Sequence, residues 1–221
     1  SPPGLEHDEV AHWLINRAIL AGEHSIYFTE AYGHEALYHY AQAFFGAAVG
    51  DHALALRLPS AYLGVLLVAV SYALGRRLFG VRVGLLSAAF LAVLFWPVFY
   101  SRLALRAIAL PVVAGLSAVA WWQAWAGAQG GNGAKEEVNA STLLLPRPPA
   151  PLRSGWLLVS GALAGLSLHT YMAGRAVPIF YALYCLYLAL FHRATFRAHW
   201  RGGAPFWLAP AAGAFPPGGV L

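Results

Sequence analysis

Long uncharged stretches recur along this chain, and they limit what it can fold into. Residues 58–75, 83–101 and 107–134 contain no Asp, Glu, Lys or Arg. A bilayer core about 30 Å thick is crossed by ~20 apolar residues in a helix. Only 10% of the 221 residues are charged, and the mean hydropathy is +0.58. A soluble domain carries roughly 25% charged residues. The sequence therefore predicts an all-α fold, a polytopic transmembrane helical bundle. The net charge of +5 fits basic cytoplasmic loops, and no nucleic-acid partner is expected. The single Cys185 lies in an apolar stretch. It supports no disulfide framework and no cysteine-based metal site.

Four regions follow in order. Residues 1–52 read as an outer-face loop with juxtamembrane helices. In its first helix, 8–22, Val10, Trp13, Leu14, Arg17, Ala18 and Ala21 recur at helical spacing, and Gly22 is the stop. His7, Asp8 and Glu9 open that helix, where acids suit the positive end of the dipole. It is too polar to span and reads as interfacial. A loop over 23–33 leads to a short aromatic segment, 34–49, read as half-buried or re-entrant. Residues 53–126 hold three transmembrane helices, at 53–74, 83–100 and from Arg106 to about 125. Residues 127–154, rich in Gly, Pro and Ala, form a flexible cytoplasmic loop. The sequon at Asn139 falls in that inside loop and carries little weight. Residues 155–221 hold two transmembrane helices, 155–168 and 176–191, and the start of a third near Pro205. Both ends read as cut from a longer chain.

The positive-inside rule orients these spans. Arg76, Arg77, Arg82, Lys135, Arg147, Arg153, Arg193, Arg197 and Arg201 share one side, which is cytoplasmic. Asp8, Glu9, Glu35, Arg102, Arg106, His169, Tyr171 and Arg175 then fall together on the outer side. Arg102 and Arg106 stand four apart and share a face if one helix runs through both. Guanidinium groups match phosphate oxygens, and a carboxylate opposite them can take a proton from a hydroxyl. That combination suits sugar transfer from a lipid-phosphate donor. Two other classes stay open: a membrane transporter and a non-catalytic membrane assembly subunit. Transporters usually show internal repeats and midplane charges, and neither is evident here. A divalent metal is compatible with these residues and not required by them. His7 could join Asp8 and Glu9 as a ligand, but a solvated histidine at a helix start is the plainer reading, and His34, His39 and His169 are read the same way.

The order of short motifs adds to this. Pro-Pro-Gly-Leu-x-His-Asp-Glu at 2–9 is followed by Gly-His-Glu-Ala-Leu-Tyr at 33–38. Ala-Leu-Arg-Leu-Pro-Ser comes next at 55–60, then Gly-Arg-Arg-Leu-Phe-Gly at 75–80. The series resembles the family 39 glycosyltransferases of bacteria, relatives of the protein O-mannosyltransferases and of the aminoarabinose transferases that modify lipid A. Ser101-Arg102 with Leu105-Arg106, and His169-Thr170-Tyr171 with Arg175, look like a prokaryotic branch of that family. The resemblance implies a GT-C fold with interfacial helices in the first outer loop. It implies a polyprenyl-phospho-sugar donor, a lipid, glycan or protein acceptor, and catalysis on the outer face of a bacterial plasma membrane, among membrane lipids. It implies Asp8 as catalytic base with Glu9 beside it; for an inverting transfer of this kind, Glu35, Arg102, Arg106, His169, Tyr171 and Arg175 of the same outer side are the candidate substrate-binding residues. Arg106 stands where better-known relatives carry a second Asp, and Ala36 stands where they carry a proline.

Overall fold

A computed structural model describes residues 4–29, 33–129, 151–193 and 196. The fold is all-α and polytopic, as the uncharged stretches require. Its helices are α1 (His7–Leu20), α2 (Ala36–Val49), α3 (Ala53–Phe79), α4 (Val81–Val93), α5 (Phe95–Arg102), α6 (Ala109–Gln129), α7 (Pro151–Ser167) and α8 (Ala176–Phe191). Strands β1 (Tyr27–Phe28) and β2 (His34–Glu35) form a two-residue antiparallel ladder in the loop between α1 and α2. Among the described residues, three helical stretches are long and apolar enough to cross a membrane: Ala53–Phe79, Arg106–Trp125 and Met172–Phe191. A fourth arises if α4 and α5 together make one broken span. The described apolar part of α7, Gly155–Ser167, is shorter than a span. The loop over 130–150 and the stretch from 197 onward lie outside the described residues, as do the sequon and the third span of the last region.

The chain divides into two compact units. The first holds residues 1–115 and 167–175, the second 116–166 and 176–221. In the first, α1 ends on a Schellman cap. Glu23 N–H donates to Ala18 O, Gly22 N–H donates to Ile19 O, and Gly22 takes a φ of 101°. The buried face of α1 differs from the expected apolar stripe. Glu9, His12, Ile15, Asn16 and Ile19 are buried, while Val10 and Leu14 are exposed. Glu9 turns inward because partners wait there, and apolar residues face out, as a helix in an apolar or interfacial medium allows.

The stretch 83–100 is two helices rather than one straight helix, bent by 56° at Leu94. Pro97 explains the break. It has no N–H to give Val93 O, and its ring would clash with that carbonyl. Pro111 and Pro178 likewise occupy the third position of α6 and α8, where a missing N–H costs little. Each of these two helices is preceded by a short 3-10 turn, at Arg106–Ile108 and Met172–Arg175. Arg102 and Arg106 are therefore not on one continuous helix. Leu103 and Leu105 are extended between them.

Helices α3 and α4 meet through glycine. A Cβ on Gly84 would lie 2.8 Å from Arg76 N and 2.9 Å from Tyr72 O, and one on Gly75 would lie 3.1 Å from Gly84 Cα. Small residues let backbones approach where lipid supplies no hydrophobic drive. Gly84→Leu is expected to cost ~1–3 kcal/mol through overpacking, seen as a lowered unfolding midpoint of the purified protein.

In the second unit, polar groups knit three helices. Ser117 Oγ donates to Ser160 O at 2.8 Å, Ser160 Oγ donates back to Ser117 O at 2.8 Å, and Tyr181 Oη lies 3.0 Å from Ser117 Oγ. Trp121 packs on Tyr181 with ring centres 5.0 Å apart. That places Trp121 in a packing core, beyond the interfacial belt its position suggests.

Candidate functional site

All eight residues singled out from the sequence fall within the first compact unit, although Tyr171 and Arg175 lie some 60 residues beyond its main segment. The unit is assembled around Glu9. Its side chain is fully buried. Arg57 of α3 grips it with both arms of the guanidinium, Nε donating to Oε1 at 2.8 Å and Nη2 to Oε2 at 2.6 Å. Ala104 N–H donates to Oε1 at 2.8 Å and Glu6 N–H to Oε2 at 3.0 Å. Arg57 Nη2 also donates to Gly4 O at 2.8 Å. Ala104 N–H is available because the helix is interrupted at 103–105. The break that separates Arg102 from Arg106 thus supplies an amide to the acid 95 residues earlier.

A carboxylate has about four lone-pair sites, and these four bonds fill those of Glu9. Burial alone would raise its pKa. The Arg57 bonds and the Ala104 and Glu6 amides outweigh that and hold it below the usual carboxylate range. The folded pKa lies below the unfolded value of about 4.3. The linkage therefore contributes stability in full above that pH and loses it as pH falls through the folded value. The stability gap between the wild type and Glu9→Gln is expected to hold from pH 7 to pH ~5 and to narrow below pH ~4. Unfolding of both proteins across that range measures it.

Asp8 is placed differently. Its side chain is 74% exposed, and its Oδ1 lies 3.6 Å from His7 Nδ1. The tied Glu9 fixes the first turn of α1, and Asp8 projects from that fixed turn into solvent. Two adjacent acids thus occupy opposite environments, one saturated and one available. His7 is exposed and Glu9 is engaged, so His7, Asp8 and Glu9 do not form a cluster of ligands.

A second ion pair lies at the 3-10 turn before α6. Arg106 Nη1 donates to Glu35 Oε2 at 2.8 Å and to Gly33 O at 3.3 Å. Its guanidinium carbon sits 5.5 Å from the Tyr171 ring centre, within cation–π range. Both partners of the ion pair are largely buried. Gly33 is held to glycine by its φ of 88° and by the Tyr27 ring where a Cβ would go. Arg102 and Arg175 are exposed, and among the described residues neither has an acid partner. His169 is half-buried in the turn before Tyr171. Gly174 lies against Ser167 O so closely that a Cβ would collide with it, which folds the 167–175 turn tightly. Tyr171 also lines an apolar cavity of about 570 Å³ with Leu67, Val70, Leu91, Trp96 and Ile108.

Sequence reasoning met Arg57 within the 55–60 motif and gave it no part in the site, it passed over His12, and it read His34 and His39 as solvated where the structure buries them. His12, His34 and His39 come together in the buried layer between α1, β2 and α2. Burial and the His34 ring push His12 down to about 4, and burial with His12 and His34 pushes His39 down to about 2. The His12 and His39 rings are therefore neutral at physiological pH. Tyr27 and Phe28 form β1, where Tyr27 is exposed and Phe28 buried, and Tyr32 lies outside the described residues.

The family model described as dolichyl-phosphate-mannose-protein mannosyltransferase matches residues 34–131. That match covers β2 to the end of α6, including Glu35, Arg57, Arg102 and Arg106. No curated protein and no solved structure matches the chain. The match and the apolar helices support a membrane glycosyltransferase of the mannosyltransferase type as the general class.

Proposed function

We propose that this chain transfers a sugar from a polyprenyl-phosphate-linked donor to a hydroxyl of a lipid, glycan or protein acceptor at the outer face of the membrane. The observation that carries the reading is the position of Tyr171. One ring both stacks under the Arg106 guanidinium and lines the apolar cavity. A lipid phosphate needs that pairing: a cation for the head and an apolar wall for the first prenyl units. Arg102 and Arg175 add exposed cations in the same unit. Glu35 holds Arg106 in place and offsets its charge while no substrate is bound. His169 lies at the turn that presents Tyr171 and Arg175, and its role is to support that turn against the substrate.

The reaction balances as a single displacement. The acceptor oxygen bonds to the anomeric carbon as the bond from that carbon to the phosphate oxygen breaks. The hydroxyl proton passes to Asp8, and the leaving group departs as polyprenyl phosphate. Attack opposite the leaving group inverts the anomeric centre. Cationic groups aimed at the phosphate stabilise charge that grows in the transition state. Glu9 takes no proton in this scheme. Its four bonds keep the turn under Asp8 in position.

The test is transfer by the full-length protein in membranes, with polyprenyl-phosphate-linked and nucleotide-linked forms of one sugar offered separately. Transfer is expected from the lipid-linked form alone, with polyprenyl phosphate released in step. Transfer from the nucleotide sugar with the lipid-linked form inert would overturn the reading.

A further inference from the structure

Three histidines from three successive elements converge in the first unit. His12 comes from α1, His34 from β2 and His39 from α2, with relative exposures of 2%, 8% and 0%. One ring nitrogen from each lies within 4.8 Å of the other two. The His34 and His39 rings stack at 14°, with Nδ1 of His34 3.1 Å from Nε2 of His39. His12 stands edge-on to both, its centre 5.1 Å from His34 and 4.8 Å from His39.

Two of these nitrogens are orphans. Nδ1 of His12 and Nδ1 of His39 are buried without a hydrogen-bond partner. A buried polar atom left unpaired costs ~1–3 kcal/mol, and native structures carry few of them. Nε2 of His39 is the nitrogen that faces His34, so within the cluster it is the unpaired Nδ1 of His12 that leaves a buried donor open to an electron-pair acceptor.

We propose that His12, His34 and His39 form a binding site for a divalent transition metal ion, with zinc the best fit. Neutral imidazole is a borderline donor that suits zinc and its neighbours, while calcium and magnesium require oxygen ligands. Zinc–nitrogen bonds of ~2.1 Å in a tetrahedral site place ligand nitrogens about 3.4 Å apart. Nδ1 of His34 and Nε2 of His39 already stand near that spacing, and the third ligand closes by up to about 1.4 Å from the 4.8 Å limit of the cluster. Three protein ligands leave a fourth position for water. Arg106 lies near enough to oppose a cation electrostatically, but Glu35 pairs with it.

The ion's place in the fold gives it a job. It ties α1 to the β2–α2 corner, and His34 is the neighbour of Glu35, which holds Arg106. The site requires no assumption about sugar transfer.

The test uses the purified full-length protein and zinc alone. The expected result is about one bound zinc per chain. A chelator should remove it and lower the unfolding midpoint, and zinc should restore the midpoint. Cobalt in its place should give the strong visible bands of four-coordinate cobalt on nitrogen donors. His12→Asn and His39→Asn should each weaken zinc binding by more than ~100-fold, beyond the 10–100-fold typical of losing an outer-shell partner. Absence of zinc from a folded protein that ignores both chelator and added zinc would overturn the proposal. So would full zinc binding that persists in both variants. If the variants do not fold, the cobalt spectrum of the wild type decides: weak octahedral bands alone overturn it.

Discussion

Arg57→Ala is expected to destabilise the first unit by ~3–5 kcal/mol, the typical cost of removing one partner from a buried ion pair. The size follows from what stays behind. Glu9 has no exposed side-chain surface, so its charge cannot turn to water when the guanidinium goes. The Ala104 and Glu6 amides remain, yet two neutral donors do not replace a bidentate cation. The first turn of α1, the start of α3 and the break at 103–105 all converge on this one carboxylate, so their order falls together. Equilibrium unfolding in detergent measures the loss. Arg57→Lys should recover only part of it, because an ammonium cannot reproduce the two parallel bonds. A loss below ~1 kcal/mol is the size of an exposed pair and would contradict the buried clasp.

Asp8→Asn is expected to cut the transfer rate by ~10²–10⁴-fold, the range for removing a general base, with folding intact. The exposed side chain makes no bond that holds the structure beyond its contact with His7, so its loss leaves the clasp untouched. Glu9→Gln should behave in the opposite way. It should lower stability first, and activity only as the α1 turn loosens. The pair separates a group that acts on substrate from one that positions it. Donor binding should change little, because the cations proposed for the phosphate are all still present.

The uncharged stretches made most of the helical architecture legible. The Gly22 stop, the first long span and the last described span follow from local chemistry that any fold must satisfy. The bend at Leu94 was legible too, in Pro97, but a hydrophobic run reads as one span when only its length is weighed. The buried face of α1 was not legible. Periodicity reports where apolar residues lie and assumes they point inward, and here Glu9 and His12 point inward, Glu9 onto Arg57 and Ala104 and His12 among two other histidines. Such partners are 22 to 95 residues away, and a single sequence carries no sign of them. The grouping of Glu35, Arg106 and Tyr171 was anticipated as a shared side, though their contacts were not. The distinct environments of Asp8 and Glu9 could not be told from adjacent letters.

The central claim is that Asp8 takes the acceptor proton while a lipid phosphate leaves. Single-turnover transfer from a labelled polyprenyl-phospho-sugar, with donor saturating and the full-length protein in excess, tests it most directly. The account predicts polyprenyl phosphate released in equal amount to glycosylated acceptor by the wild type, and a first-order rate at least ~10²-fold lower for folded Asp8→Asn. Equal single-turnover rates for the two proteins would contradict it.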